Sequence, residues 1–280
     1  MADTKPDAEG TAEDKFWGKV IDGWKAKAKS ERQEWNKMAS MYRTMSNPRN
    51  GGNNSVEMDS ETMVESNWLY AFADTLTANV VPTNPAVTIV SNRKALDGSA
   101  KLRTQLVNTL FKKEKMHQIL WKLTTRASIW PRSWLKCVWH QDLKRPILRV
   151  INPHYVFFDS TAETEADMRY IIEVTVITKA EFNGRLKKQG KRGGFYRSDA
   201  LEDPPEFGHW PKWIEPDSEW SEGAGKDVEA TLVRDSYEWT TIYEVYDLVT
   251  KTFFHYADGI PRALLKEKLP YKFLKNPYKM

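Results

Sequence analysis

The sequence predicts an α+β fold: a mainly helical N-terminal half, then antiparallel β-hairpins that carry a helical insertion. Three observations lead there. Up to about residue 130, apolar side chains recur at three- and four-residue steps, the period of amphipathic helices. From Pro131 the period changes to two, with Trp134, Lys136, Val138 and His140 alternating against Leu135, Cys137 and Trp139. Turn residues at Asp142, Thr250-Lys251 and Asp258-Gly259 then separate runs rich in β-branched and aromatic residues. The expected division is an acidic disordered tail over 1–14, a helical region over 15–130, and a β-rich region over 131–275 with a charged loop at 185–235. No internal repeat is visible.

From Phe16 to Tyr42, Trp17, Val20, Ile21, Trp24 and Ala28, then Trp35, Met38 and Tyr42, mark a first helix, broken by the Asn/Gly-rich run from Ser46 to Asn54. Val64, Trp68, Phe72 and Leu76, four apart on one stripe, mark a second, which must stop by Pro82 because proline lacks the amide donor. Residues 85–90 read as a strand. Asp97, Gly98 and Ser99 offer N-cap oxygens to a third helix bearing Leu102, Leu106 and Leu110, and Ile119 to Ala127 continue the helical pattern. A hairpin follows over residues 134–151, then strands over 155–158 and 169–177. Thr178 with Glu181 forms a capping box that starts a short helix. Residues 239–249 and 252–256 read as paired strands, with a further hairpin turn leading into 260–265.

The chain has 280 residues, 40% of them hydrophobic and 29% charged, which supports a real core and excludes wholesale disorder. No run approaches the roughly 18 apolar residues of a membrane span, and no apolar segment follows a basic start, so the expectation is a protein kept inside a cell. A net charge of +4 does not by itself mark a nucleic-acid binder. Its distribution is uneven: residues 185–198 hold six bases and no acid, whereas 199–229 hold ten acids against Lys212 and Lys226. These arms are either a long solvated loop whose halves attract each other or a contact for a subunit or nucleic acid. Twelve tryptophans suit cores and interfaces alike. The clusters Trp130, Trp134, Trp139 and Trp210, Trp213, Trp220 sit among proline and charge, which favours partly exposed positions.

The usual catalytic patterns are absent from the sequence. Gly225-Lys226 is followed by Asp227, and Trp220 stands where a phosphate loop needs its first glycine. Gly-x-Ser-x-Gly does not occur, and the lone Cys137 reads as a structural thiol in mid-strand. His154 near Asp159 lacks a third group, and Glu163, Glu165 and Asp167 lack the sharp turn of a cation loop. Single cysteine and scattered histidines exclude an intrachain disulfide and a zinc finger. No catalytic residue, metal or cofactor is expected.

The order of elements resembles the N-terminal wing half of tailed-phage portal proteins, the ring-shaped head-to-tail connectors. The likeness rests on the helix from Asn67 to Val81 running into Pro82-Thr83-Asn84-Pro85-Ala86-Val87-Thr88-Ile89, on Thr125-Arg126-Ala127-Ser128-Ile129 before the Trp134–Trp139 hairpin strand, and on Ile151-Asn152-Pro153-His154-Tyr155-Val156-Phe157-Phe158-Asp159. Asp167 to Ile172, the capped segment from Thr178 to Phe182, Glu244 to Asp247 and Leu269-Pro270-Tyr271 extend it, so that it spans about residues 57–275. Portal subunits generally continue into stem helices, a clip and a closing helical region. This chain reaches Met280 just after Leu269-Pro270-Tyr271, which implies a truncated subunit, a split one or a relative with another role.

The resemblance implies a structural virion protein and no enzyme: a ring, twelve-fold by family likeness, at the capsid vertex through which DNA is packaged and ejected and to which the tail attaches. Its implied partners are copies of itself, capsid protein, tail or adaptor proteins, the terminase that supplies packaging energy, and double-stranded DNA bound without sequence specificity; no membrane is involved. Such a ring would reside in the virion after assembly in the bacterial host cytoplasm. Candidate nucleic-acid or partner contacts are Lys112, Lys113, Lys115, Lys122 and Arg126, then Lys187, Lys188, Lys191 and Arg192. A nucleic-acid-binding domain outside the portal family and an enzyme of unrecognised type are the competing classes. The first predicts salt-sensitive binding and no ring, the second a compact pocket with perturbed titratable groups.

Overall fold

The computed structural model describes residues 11–44, 68–130, 132–140, 143–186, 196, 205–208, 237–269 and 277–279. Within them the chain is α+β, with five helices and two antiparallel sheets. Contacts divide these residues into two units. The first joins the N-terminal helix through residue 40 to residues 154–269, and the second joins 68–153 to 277–279. The boundary expected near residue 130 therefore separates secondary-structure types but not packing units: the long helix packs with the later sheet, and the first hairpin packs with the later helices.

In the first unit, α1 (Ala12–Thr44) begins earlier than its apolar period suggests. The Thr11 hydroxyl accepts from the Asp14 amide at 3.3 Å, and the Asp14 carboxylate accepts from the Thr11 amide at 2.9 Å. Glu13 and Asp14, expected in a solvated tail, instead fasten the helix. Asp14 Oδ1 accepts from the Tyr256 hydroxyl at 3.0 Å and from the Ala263 amide at 3.2 Å, and Glu13 pairs with Lys266. Trp17, Ile21, Trp24, Ala28 and Arg32 form one buried stripe at three- and four-residue steps.

That stripe lies on a five-stranded sheet in chain order: β3 (Val156–Phe158), β4 (Tyr170–Thr178), β5 (Trp239–Asp247), β6 (Thr252–Ala257) and β7 (Leu265–Lys268). The register aligns Phe157 with Ile172, Ile172 with Val245, and Val245 with Phe254, which places all four on the face beneath α1. The helix crosses the strands. Asp14 meets β6, Trp17 lies beside Phe254 and Tyr170, and Trp24 stacks on Phe157 in β3 at 5.5 Å and 6°. Ten helical residues span about 15 Å and three strand spacings about 14 Å, so the two geometries match. Past the sheet edge, Arg32 donates to the His154 carbonyl and sits 5.3 Å from the Phe157 ring, and burial pushes its guanidinium pKa down to about 10.

The opposite face buries Ile177, Ile242 and Ala257 under Phe182 and Leu186 from the segment that α5 (Lys179–Arg185) begins, with Tyr196 and Leu264. The capping box forms as expected: the Thr178 hydroxyl accepts from the Glu181 amide at 3.2 Å, and the Glu181 carboxylate accepts from the Thr178 amide at 3.0 Å. After β6 the chain turns at Asp258 and Gly259. Asp258 accepts from the Tyr243 hydroxyl at 3.1 Å and pairs with Lys25 at 2.5 Å, tying α1 to the sheet. Burial and then the neighbouring Asp258 charge hold the Tyr243 hydroxyl protonated, well above its ordinary range. Gly259 has φ of +80°, and a Cβ there would lie 2.7 Å from Glu206 Cγ and 3.1 Å from the Glu206 amide nitrogen.

The second unit holds α2 (Trp68–Val80), α3 (Asp97–Lys113), α4 (Met116–Ile129) and a three-stranded sheet of order β2-β1-β8. Its strands are β1 (Trp134–His140), β2 (Arg145–Ile151) and β8 (Tyr278–Lys279). The expected β1–β2 hairpin is present, with Trp134 opposite Ile151 and His140 opposite Arg145. Residues 85–90 are extended but join no sheet among the described residues. Their partner is a helix. The Val87 amide and carbonyl bond the Asn108 side chain at 2.9 and 3.1 Å, and the Ile89 amide donates to the Thr104 hydroxyl at 3.0 Å. A short 3₁₀ turn, Lys94–Leu96, leads into α3, so Asp97 occupies its first turn and Leu96 its N-cap, without a side-chain cap bond.

Candidate interaction surface

The second unit is built on small inward residues. Ala73 and Thr77 are fully buried on α2, and the Thr77 hydroxyl lies 3.4 Å from that of Thr125 on α4. Thr77 also donates back to the Ala73 carbonyl at 2.7 Å, which leaves no protruding polar group between the helices. His117 Nδ1 is 3.0 Å from the Pro82 carbonyl, so the start of α4 meets the end of α2 and the two helices run antiparallel. On α3, Ala100 is buried, and Thr104, Val107 and Phe111 complete its inner stripe at three- and four-residue steps.

The larger apolar stripes therefore point outward. Phe72 is 63% exposed, Leu76 37% and Val80 60%, four residues apart on α2. On α3, Leu102 and Leu106 are each 66% exposed. The spacing marks Phe72–Leu76 and Leu102–Leu106 as helical stripes. The structure forms both helices and shows that the stripes are uncovered, since periodicity defines a face without saying what covers it. The missed signal is a second face of low polarity on each helix, Ala73 and Thr77 with the adjoining Val81, and Ala100-Thr104-Val107, which is the face this unit covers.

The expected basic contacts lie on the same unit. Lys112 and Lys113 close α3, Lys115 forms the left-handed corner at φ of +53° before α4, and Lys122 stands two turns along α4; all four are exposed. Glu114, the acid within this corner, is turned to Arg145 at the start of β2. Arg126 differs from the lysines. It is half-buried and donates to the Val150 carbonyl at 3.2 Å, so that α4 is pinned to β2, and burial lowers its pKa. Lys187, Lys188, Lys191 and Arg192 lie outside the described residues, as does nearly all of the charged loop expected at 185–235.

The tryptophans divide. Trp134 is buried against Tyr278 of β8, Trp130 is half-buried and Trp139 is 53% exposed near the hairpin tip; Trp210, Trp213 and Trp220 lie outside the described residues. Cys137 is half-buried in β1, where burial pushes its thiol pKa up and suppresses the reactive thiolate. His154 is buried edge-on to Trp35, with ring centres 5.4 Å apart. Asp159 is held by Arg169 through Nε at 2.6 Å and Nη2 at 3.2 Å and by the Thr161 hydroxyl at 2.7 Å. Asp167 caps the 3₁₀ turn Glu165–Asp167 by accepting from Thr164. Among the described residues no group of His, Cys, Asp or Glu has metal-site geometry, and no helix is long and apolar enough to cross a membrane.

Set against known proteins, the chain matches no family model and no curated protein.

Proposed function

We propose that this chain is a portal-like structural subunit of a virion, assembling in a ring at the capsid vertex through which viral DNA passes. The observation that carries the reading is the pair of outward apolar stripes on α2 and α3. A soluble chain that leaves Phe72, Leu102 and Leu106 about two-thirds exposed in ordered helices presents surface that water disfavours and a neighbour can cover. The order of helices and strands, on which the portal resemblance rests, supports the same assignment.

The work of such a subunit is mechanical. Apolar faces close the ring, and the exposed corner of Lys112, Lys113, Lys115 and Lys122 offers ammonium groups to phosphate oxygens, contacts that read no base and loosen with salt. Capsid protein and tail or adaptor proteins would seat on the remaining surfaces, and a separate terminase would drive DNA inward.

Negative-stain imaging of the purified protein tests the reading. Closed rings with a central opening are expected, about twelve copies by family likeness. A uniform field of single small particles, combined with DNA binding that steepens at low salt, would replace the ring with the competing nucleic-acid-binding domain.

A further inference from the structure

We infer that the two outward stripes are a heterologous pair: Phe72, Leu76 and Val80 on α2 of one copy seat against Leu102 and Leu106 on α3 of the next. The inference rests on the ring reading above and adds to it the surfaces that meet.

Three properties of the stripes point to a second copy of this chain, joined unlike to unlike. The first is spacing. Both stripes repeat every four residues, so each is an i±4 ridge, and two such ridges interdigitate in the commonest class of helix packing, crossing at about −50°.

The second is charge. Projected on a helical wheel, Arg103 and Lys113 fall beside the α3 stripe, whereas Thr75 and Asn79 flank the α2 stripe and no charge does. An α3-on-α3 contact centred on Leu102 and Leu106 would bring the two Arg103 guanidinium groups together, which costs free energy in a desolvating interface. Placing α3 on the uncharged α2 ridge avoids that cost, and the long Arg103 and Lys113 stems can lie over apolar surface with their heads in water.

The third is area. Phe72, Leu76 and Val80 meet Leu102 and Leu106, five side chains in all. At on the order of 100 Å² each, they bring about 500 Å² of apolar surface to one contact. Interfaces are a little over half apolar, so the whole contact would bury roughly 900 Å², the size of a weak interface that a closed ring repeats at every subunit. An unlike-to-unlike contact also leaves each subunit with one used and one open surface, which is the requirement for a ring in place of a dimer.

Two variants of the full chain test this by light scattering: Phe72→Lys with Leu76→Lys on α2, and Leu102→Lys with Leu106→Lys on α3. All four positions are exposed, so both variants should keep the wild-type circular dichroism and melting profile. If either melts early, Leu76→Ser or Leu106→Ser takes its place. Each variant alone is expected as a 32.5 kDa monomer, and their 1:1 mixture as a 65 kDa heterodimer that grows no further, because only one intact α2 and one intact α3 remain to pair. If the α2 variant still dimerises alone, like meets like and the inference fails. If the wild type is a large oligomer and both variants keep its mass, the ring reading survives and this assignment falls. A monomeric wild type removes both.

Discussion

Replacing Trp24 by alanine removes the side chain that fixes α1 to the edge of the five-stranded sheet. Trp24 is 7% exposed, lies flat on Phe157 at 5.5 Å, and donates from Nε1 to the Tyr170 hydroxyl at 3.0 Å. Losing a large buried aromatic side chain costs about 3–5 kcal/mol. Part of that is separable. Trp24→Phe keeps a ring over Phe157 but abandons the bond to Tyr170, so it should cost about 1 kcal/mol for the hydrogen bond on top of a modest packing loss. Guanidinium titration followed by far-ultraviolet circular dichroism measures both, and the exposed turn residue Val249→Ala, within about 0.5 kcal/mol of wild type, serves as a control. A loss below about 1 kcal/mol for Trp24→Ala, with an unchanged denaturant slope, would mean that α1 does not cover this sheet and that the first unit is wrongly composed.

Gly259→Ala should destabilise by about 1–3 kcal/mol, since φ of +80° disfavours a Cβ and the new atom would crowd the Glu206 backbone; a melting temperature equal to wild type would contradict the turn geometry. Asp159 titrates below its ordinary value, chiefly because Arg169 donates to it, so the folded state is favoured above about pH 4 and loses that advantage as pH falls through the lower folded pKa. Asp159→Asn should be less stable than wild type at pH 7 yet show a flatter decline in acid, and parallel stability curves would refute the pairing. Asn108→Ala should speed hydrogen exchange at the Val87 amide while Ile89, held by Thr104, stays protected. Equal exchange at Val87 in both proteins would show that the extended segment does not depend on α3.

Local chemistry was legible in the sequence where partner residues lie close along the chain. The Thr178 capping box, the β1–β2 hairpin and the β5–β6 pairing follow from neighbours within a few turns, and they form with shifts of a residue or two at their ends. What the sequence hid is non-local. Nothing near Asp14 reveals that Tyr256 will donate to it from 242 residues away, so an acidic run reads as a solvated tail. Residues 85–90 have strand composition, yet an asparagine and a threonine on α3 satisfy their backbone in place of a ladder. The stripes on α2 and α3 show the same limit most consequentially: spacing identified both, but only the burial of Ala73, Thr77 and Ala100 shows that the leucine faces are left for something else. Of the expected basic contacts, four lysines stand exposed at the α3–α4 corner, whereas Arg126 serves the unit internally, a difference that charge alone cannot express.

The central claim is that this chain closes on copies of itself, and its solution mass tests that most directly. Light scattering on the wild-type protein across a tenfold concentration range should give a fixed large species, near 390 kDa if twelve copies of the 32.5 kDa chain assemble. A constant mass of 32.5 kDa over that range would contradict the account.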